Sequence, residues 1–142
     1  MTINQLSVFI ENKSGTILRV FNLLKDAHIQ LIASTTADTL DYGICRIICS
    51  EPEKAYKILK EAGVSVALSD VFAIELDNEP GRAAEALEVI SREGIGITYL
   101  YSFLLGGKGI IIFRTDNPEK TKEAIILNKL KFVAEKDLSV LS

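Results

Sequence analysis

The stretch DNEPGRAAEALEVISREGIGI, residues 77–97, joins an alternating apolar run to a helical pattern through the turn NEPG. Residues 11–31, ENKSGTILRVFNLLKDAHIQL, have the same layout, with NKSG in the place of NEPG. The two turns lie 66 residues apart. Such a repeated strand–turn–helix pattern indicates that the chain contains one supersecondary unit twice.

The offset of 66 residues holds without a gap along the chain. The aligned identities are Asn12 with Asn78, Gly15 with Gly81, Ile29 with Ile95, Gly43 with Gly109, Ile44 with Ile110, and 52–54 with 118–120. Most other positions keep their apolar character. We therefore predict two domains, at residues 1–69 and 70–142.

The first copy shows the order of elements in the unit. Alternating apolar residues predict a strand before the turn, and helical spacing predicts a helix after it. Two extended runs, a second helical stripe and the strand VSVAL at 64–68 follow. This β-α-β-β-α-β order is typical of ferredoxin-like α+β folds, with both helices on one face of an antiparallel sheet. We expect the two units to pair side by side into one continuous sheet, which would cover strand edges.

Composition excludes several classes of protein. The chain has 142 residues, 48% of them hydrophobic and 25% charged, which is ordinary for a soluble globular protein. A net charge of −3 provides no basic surface for nucleic acid or an anionic membrane. No transmembrane segment or signal peptide is predicted. Since Cys45 and Cys49 are the only cysteines, we expect a reducing compartment and a cytoplasmic protein.

No catalytic or metal site is predicted. Cys45, Cys49 and the single His28 do not have the spacing of a tetrahedral metal site, and the cysteines are expected to be small buried side chains. His28 aligns with Gly94, so we expect it to end a helix in a left-handed conformation. The GGKG sequence at 106–109 lies between extended runs and is predicted to form a hairpin turn.

The repeated turn is the strongest candidate for a ligand site. Gly15 and Gly81 lie where a strand leads into a helix, and glycine permits close approach of a ligand to the backbone. The amides of the first helical turn favour an anion such as a carboxylate. Asn12 and Asn78 add donors and an acceptor for an ammonium or a carboxylate group. The same residue types also suit an ordinary turn without a ligand.

The chain resembles the ACT domain, a small module that senses ligands, most often amino acids, in regulated enzymes of amino-acid metabolism. The resemblance rests on the N-x-P-G turn between first strand and first helix, and it covers nearly the whole chain as two copies. Residues 77–97 match more closely than 11–31, where Ser14 replaces the proline. The resemblance implies a stand-alone sensor or a detached regulatory subunit, without a cofactor. It also implies that ligands bind where two modules meet.

The resemblance also implies site residues. In phosphoglycerate dehydrogenase, a serine-binding member, the loop of one module works with the second strand of its neighbour. The histidine of that member's H-x-N-x-P-G turn is absent here, where Ile10 and Leu76 stand. The implied first site combines Asn78, Pro80 and Gly81 with Gln30 and Ile32. The implied second site combines Asn12, Ser14 and Gly15 with Gly96 and Thr98. Because Gly96 has no side-chain amide, we expect the first site to bind more tightly.

Three functions follow from the sequence and the resemblance. We expect a non-catalytic regulatory protein that binds an amino acid, forms a homodimer and acts on a metabolic enzyme. Dimerisation is expected because isoleucine, cysteine and phenylalanine are predicted on the second face of the sheet. The alternative is a ligand-free interaction subunit of a biosynthetic enzyme such as acetolactate synthase. A catalytic protein comes third.

Overall fold

The computed structural model describes residues 1–11, 15–38 and 42–141. They form two compact units. The N-terminal unit contains Asn4–Ser69, and the C-terminal unit contains Met1–Ile3 with Asp70–Ser142. The predicted positions Asn12 and Ser14 lie outside the described residues, as does part of the sequence LDYG at 40–43, which is typical of a tight turn between the two extended runs.

The N-terminal unit contains four strands and two helices. They are β1 (Thr2–Glu11) from Asn4 onward, α1 (Thr16–Asp26), β2 (Leu31–Asp38), β3 (Tyr42–Cys49), α2 (Pro52–Glu61) and the first residues of β4 (Val66–Leu76). The strand order is β2-β3-β1-β4. The apolar stripes of both helices pack on the same face of this sheet, where Val20, Leu24 and Leu59 join Leu6 and Ile47 in one core.

The C-terminal unit repeats this arrangement. Its elements after β4 are α3 (Arg82–Arg92), β5 (Ile97–Leu105), β6 (Lys108–Thr115), α4 (Pro118–Leu127) and α5 (Glu135–Leu141). β6 lies between β4 and β5 and is antiparallel to both. The core contains Phe72, Ile90 and Ile125, which occupy the positions of Leu6, Leu24 and Leu59. The predicted tandem ferredoxin-like α+β fold is therefore confirmed.

Left-handed residues end the helices, as the repeat predicts. His28 has a φ of 57° and its counterpart Gly94 a φ of 71°. At the end of α1 the amide of Ile29 donates to the Leu24 carbonyl at 2.9 Å, which closes the helix. The helix-end role of His28 is thus confirmed. The hairpin turn between β5 and β6 is confirmed too, since Gly106 and Gly107 both have positive φ, as its type requires.

Two predictions about strands are wrong. The strand predicted at 64–68 and the alternating apolar run before the second turn are one strand, β4, which runs from Val66 to Leu76 across the predicted boundary between residues 69 and 70. The last predicted strand of the second copy is only a bridge between Ile74 and Phe132. Helix α5 begins at Glu135, shortly after this bridge. Asp137, in its first turn, accepts a hydrogen bond from the Ala134 amide at 3.0 Å, which stabilises the helix start. No sequence pattern predicted α5.

Ser50 and Asp116 begin sequences with the spacing of a capping box, Ser/Asp-x-x-Glu, but neither residue is the N-cap of the helix that follows it. The N-cap of α2 is Glu51, and that of α4 is Asn117, whose side chain accepts from the Lys120 amide. The proline at the first helical position moves each helix start one residue along the chain. Ser50 and Asp116 bind distant backbone amides instead, as described below.

The expectation that the cysteines lie on the second face of the sheet is wrong. They lie in the core between the sheet and the helices. Cys45 and Cys49 belong to the same cluster as Val20 and Leu24, and both are buried. Burial raises the pKa of the Cys45 thiol, and a hydrogen bond with Thr36 opposes this effect. Phe113 likewise faces the helices of its own unit. In the described part of the chain, no helix has the length and apolar character of a membrane span.

Candidate functional site

Both repeated turns lead into a helix through a left-handed glycine. Gly15 has a φ of 89° and directly precedes α1, and Gly81 has a φ of 86° and directly precedes α3. A Cβ atom at either position would meet nothing within 4 Å, so the backbone conformation, not crowding, requires glycine. No described side chain caps α3. The amides of its first turn therefore lack a capping acceptor from a side chain.

A cleft of about 330 Å³ lies beside the second turn. We call it the Asn78 cleft. One wall comes from the turn and the start of α3, with residues 76–79, Arg82 and Ala83, and the other comes from β5 and β6, with Ser102, Phe103 and Ile111. All of these residues belong to the C-terminal unit. The predicted site residues Pro80 and Gly81 do not line this cleft. The volume is at the lower end of the range of about 300–1,000 Å³ for small-molecule sites, which suits a ligand of a few heavy atoms.

Ion pairs hold the turn on both sides of Asn78. The Lys108 ammonium lies 3.1 Å from Asp77. The Arg82 guanidinium lies 2.8 Å from Glu79 and 3.1 Å from Glu85. The hydrogen bond from Lys108 and its positive charge hold the pKa of Asp77 below its ordinary value. The turn thus presents fixed charges of both signs next to the cleft.

Gln30 and Gly96, the predicted second-strand positions, have matching backbone contacts. The Gln30 amide donates to the Ser50 hydroxyl at 2.9 Å, and the Gly96 amide donates to the Asp116 carboxylate at 3.0 Å. A Cβ atom at Gly96 would come within 2.6 Å of the Asp116 carboxylate. The absence of a side chain at position 96 therefore makes room for Asp116.

The remaining predicted residues lie at separate places. Pro80 and Thr98 are exposed, on the second turn and on β5, and Ile32 is half-buried on β2. Gln30 is exposed and lines a hollow of about 420 Å³ with Lys25 and His28. The pairing of the Asn78 turn with Gln30 and Ile32 joins the two units and stays a prediction.

Sequence reasoning missed several residues of the Asn78 cleft. Arg82 follows the turn directly, and its position after N-x-P-G was a usable signal. No sequence signal pointed to Ser102 and Phe103, because only the pairing of β5 with β6 places them opposite the turn. Among the described residues no group of three or more His, Cys, Asp or Glu side chains could hold a metal ion.

Comparison with known proteins identifies the family. A family model described as an ACT domain pair matches residues 1–142. The chain belongs to this family. A crystal structure of a protein from Bacteroides thetaiotaomicron is 39% identical, with a TM-score of 0.92, and the match covers 98% of this chain and 96% of that one. No match was found among curated proteins.

More distant ACT-pair structures share the fold alone. The regulatory subunit of aspartate kinase from Thermus thermophilus is 14% identical, with a TM-score of 0.61, and the match covers 87% of this chain and 91% of that one. The corresponding subunit from Thermus flavus is 15% identical, with a TM-score of 0.59, and coverage of 87% and 90%. The ACT domain pair described here therefore has the fold of regulatory subunits.

Proposed function

We propose that this ACT domain pair is a non-catalytic regulatory protein that binds an amino acid at its strand-to-helix turns. The Asn78 cleft carries this proposal. It places an amide side chain, charged groups of both signs and an uncapped helix start around a volume suited to a small zwitterion. The shared fold with regulatory subunits of aspartate kinase supports a regulatory role. We also propose a cytoplasmic location, because Cys45 and Cys49, the only cysteines of the chain, indicate a reducing compartment.

A thermal-shift screen against the twenty amino acids tests the proposal. A ligand at one hundred times its dissociation constant stabilises the folded state by about 2.7 kcal/mol, which raises the melting temperature by several degrees. The Asn78→Ala variant should lose most of this shift, because a hydrogen bond to a charged ligand group contributes ~1.5–3 kcal/mol. Glu88→Ala, at an exposed position of α3, is the control and should keep the shift.

The proposal includes two unequal sites. One combines Asn78, Pro80 and Gly81 with Gln30 and Ile32. The other combines Asn12, Ser14 and Gly15 with Gly96 and Thr98. Occupation of the Gly96 amide by Asp116 supports weaker binding at the second site, because this carboxylate would repel a ligand carboxylate. Calorimetric titration of Asn78→Ala and Asn12→Ala shows which site binds the ligand more tightly. A larger loss of affinity from Asn12→Ala than from Asn78→Ala would contradict the proposal.

A second function is an interaction subunit of an amino-acid biosynthetic enzyme, without a ligand of its own. Exposed apolar side chains near the end of α4 favour it, since Ile126 is 62% and Leu127 77% exposed. A folded protein that no amino acid stabilises would support this function. We also propose a homodimer. Sedimentation velocity of wild type and Leu127→Asp measures whether this surface joins two copies.

A further inference from the structure

The lining of the Asn78 cleft indicates which amino acids fit it. Its apolar part comes from both walls, with Leu76 and Ala83 beside the turn and Phe103, Leu104 and Ile111 on the strands. Leu104 is 63% exposed, so a ligand that covers it would remove apolar surface from water. The charged lining residues Asp77, Glu79 and Arg82 lie at the turn and at the start of α3, and not among these strand residues. This separation suits a ligand that is charged at one end and aliphatic at the other.

Arg82 is a positively charged residue that lines the cleft, and it forms an ion pair with Glu79 of the turn. Its Nη2 atom donates to Glu79 at 2.8 Å, and its Nη1 atom donates to Glu85 at 3.1 Å. Glu79 follows Asn78 directly, and both residues line the cleft with Arg82. Glu85 lies one helical turn along α3 and does not line the cleft. Glu79 therefore occupies the side of Arg82 that a ligand in the cleft would approach.

A ligand carboxylate can replace Glu79 as the hydrogen-bond partner of Arg82. Both side chains are partly in solvent, at 39% and 61% exposure, and ion pairs of such exposure contribute little to stability. Arginine binds carboxylates through paired hydrogen bonds and does not lose its charge at any physiological pH. Glu85 can keep its own contact during the exchange, because it binds the other terminal nitrogen.

We propose that the Asn78 cleft binds an aliphatic amino acid whose carboxylate displaces Glu79 from Arg82. Arg82 is then a specificity-determining residue, and Glu79 is an internal competitor that the ligand must replace. Asp77, which pairs with Lys108, and the Asn78 side-chain oxygen provide acceptors near the cleft for the ligand ammonium. This inference rests on the proposed function, and it does not require the Gln30 wall.

Calorimetric titration with L-leucine and L-leucinamide tests the inference. The amide keeps the ammonium and the side chain but lacks the carboxylate, so it should bind at least tenfold more weakly. Arg82→Gln should weaken L-leucine binding roughly ten- to a hundredfold, the effect of losing a hydrogen bond to a charged group. Glu79→Gln should strengthen it by about two- to fivefold, because an exposed competing ion pair is removed.

Glu88→Gln is the matched control, since Glu88 is exposed on α3 and does not line the cleft. It should leave L-leucine binding unchanged, and circular dichroism of each variant confirms folding. Weaker binding by Glu79→Gln, or unchanged binding by Arg82→Gln, would overturn the displacement of Glu79. If a charged amino acid binds in an Asn78-dependent manner and L-leucine and L-valine do not, the proposed function stands and the aliphatic class is wrong. If no amino acid binds, the proposed function fails, and this inference fails with it.

Discussion

The two units have one fold but use equivalent positions for different purposes. In the N-terminal unit, Arg19 of α1 donates to the Ala62 carbonyl at the end of α2, at 2.7 Å. Lys54 of α2 donates in turn to the Ala27 carbonyl at the end of α1, at 3.2 Å. Each helix thus supplies a cation to the other's carboxyl end, where the helix dipole favours it.

In the C-terminal unit the counterpart of Arg19 is Glu85, which cannot donate a hydrogen bond. Glu85 instead binds Arg82 beside the Asn78 cleft. The same helix position therefore supports helix packing in one unit and the charge pattern of the candidate site in the other. The two units therefore share their core positions, whereas their surface charges differ and serve separate tasks.

A buried pair of threonines gives the largest expected difference between the units. Thr121 donates to the Asn117 carbonyl at 2.8 Å and accepts from Thr115, also at 2.8 Å. The N-terminal unit has Cys49 and Ala55 at these positions, both buried. Thr121→Ala should destabilise the protein by ~1–3 kcal/mol, because the Thr115 hydroxyl loses this acceptor. Urea denaturation measures the change.

The double variant Thr115→Cys with Thr121→Ala copies the pair found in the N-terminal unit. It should recover part of the loss, since no hydroxyl is then left without its acceptor. A double variant less stable than Thr121→Ala alone would show that the two cores are not equivalent at these positions.

Gly96→Gln copies Gln30 into the C-terminal unit. It should cost about 1 kcal/mol, because the new Cβ atom displaces the Asp116 carboxylate from the Gly96 amide. Addition of Asp116→Ser, which copies Ser50, should restore stability in thermal melts followed by circular dichroism. A tolerated Gly96→Gln without this rescue would contradict the idea that residues 96 and 116 are matched.

Arg19→Gln removes a cation from the end of α2 and should cost ~0.3–1 kcal/mol, the usual contribution of such a charge. Glu85→Gln, at the equivalent position, should change stability less, because its bond to Arg82 is an exposed ion pair. Chemical denaturation of both variants compares the units directly. An equal or larger loss from Glu85→Gln would show that its ion pair also supports the fold.

Lys108→Gln should alter a pKa and hardly affect stability. Lys108 lowers the pKa of Asp77 by a hydrogen bond and by its charge, so its removal should raise the Asp77 pKa toward the ordinary range. A lowered folded-state pKa stabilises the fold above the unfolded-state pKa, and this effect is lost as the pH falls through the folded-state pKa. Carboxyl carbon chemical shifts during an acid titration report the change. The N-terminal counterpart of Lys108 is Tyr42, which has no ammonium group.

The duplication, the order of elements in the first copy and the residues that end the helices can be predicted from local sequence patterns. These features depend on short-range physics. Apolar periodicity selects helix or strand, and positions such as His28 and Gly94 need a left-handed backbone wherever the helix packs. The turn at 78–81 could be found in the same way.

Only the tertiary structure decided which distant residues meet. Ser50 and Asp116 suit a helix cap by local pattern, but strand register brings them to backbone amides 20 residues away, at Gln30 and Gly96. Strand register also places Phe103 opposite the Asn78 turn, and the folded chain brings Lys108 to Asp77. Such contacts depend on which strands pair and in which register, and local periodicity carries no information about either.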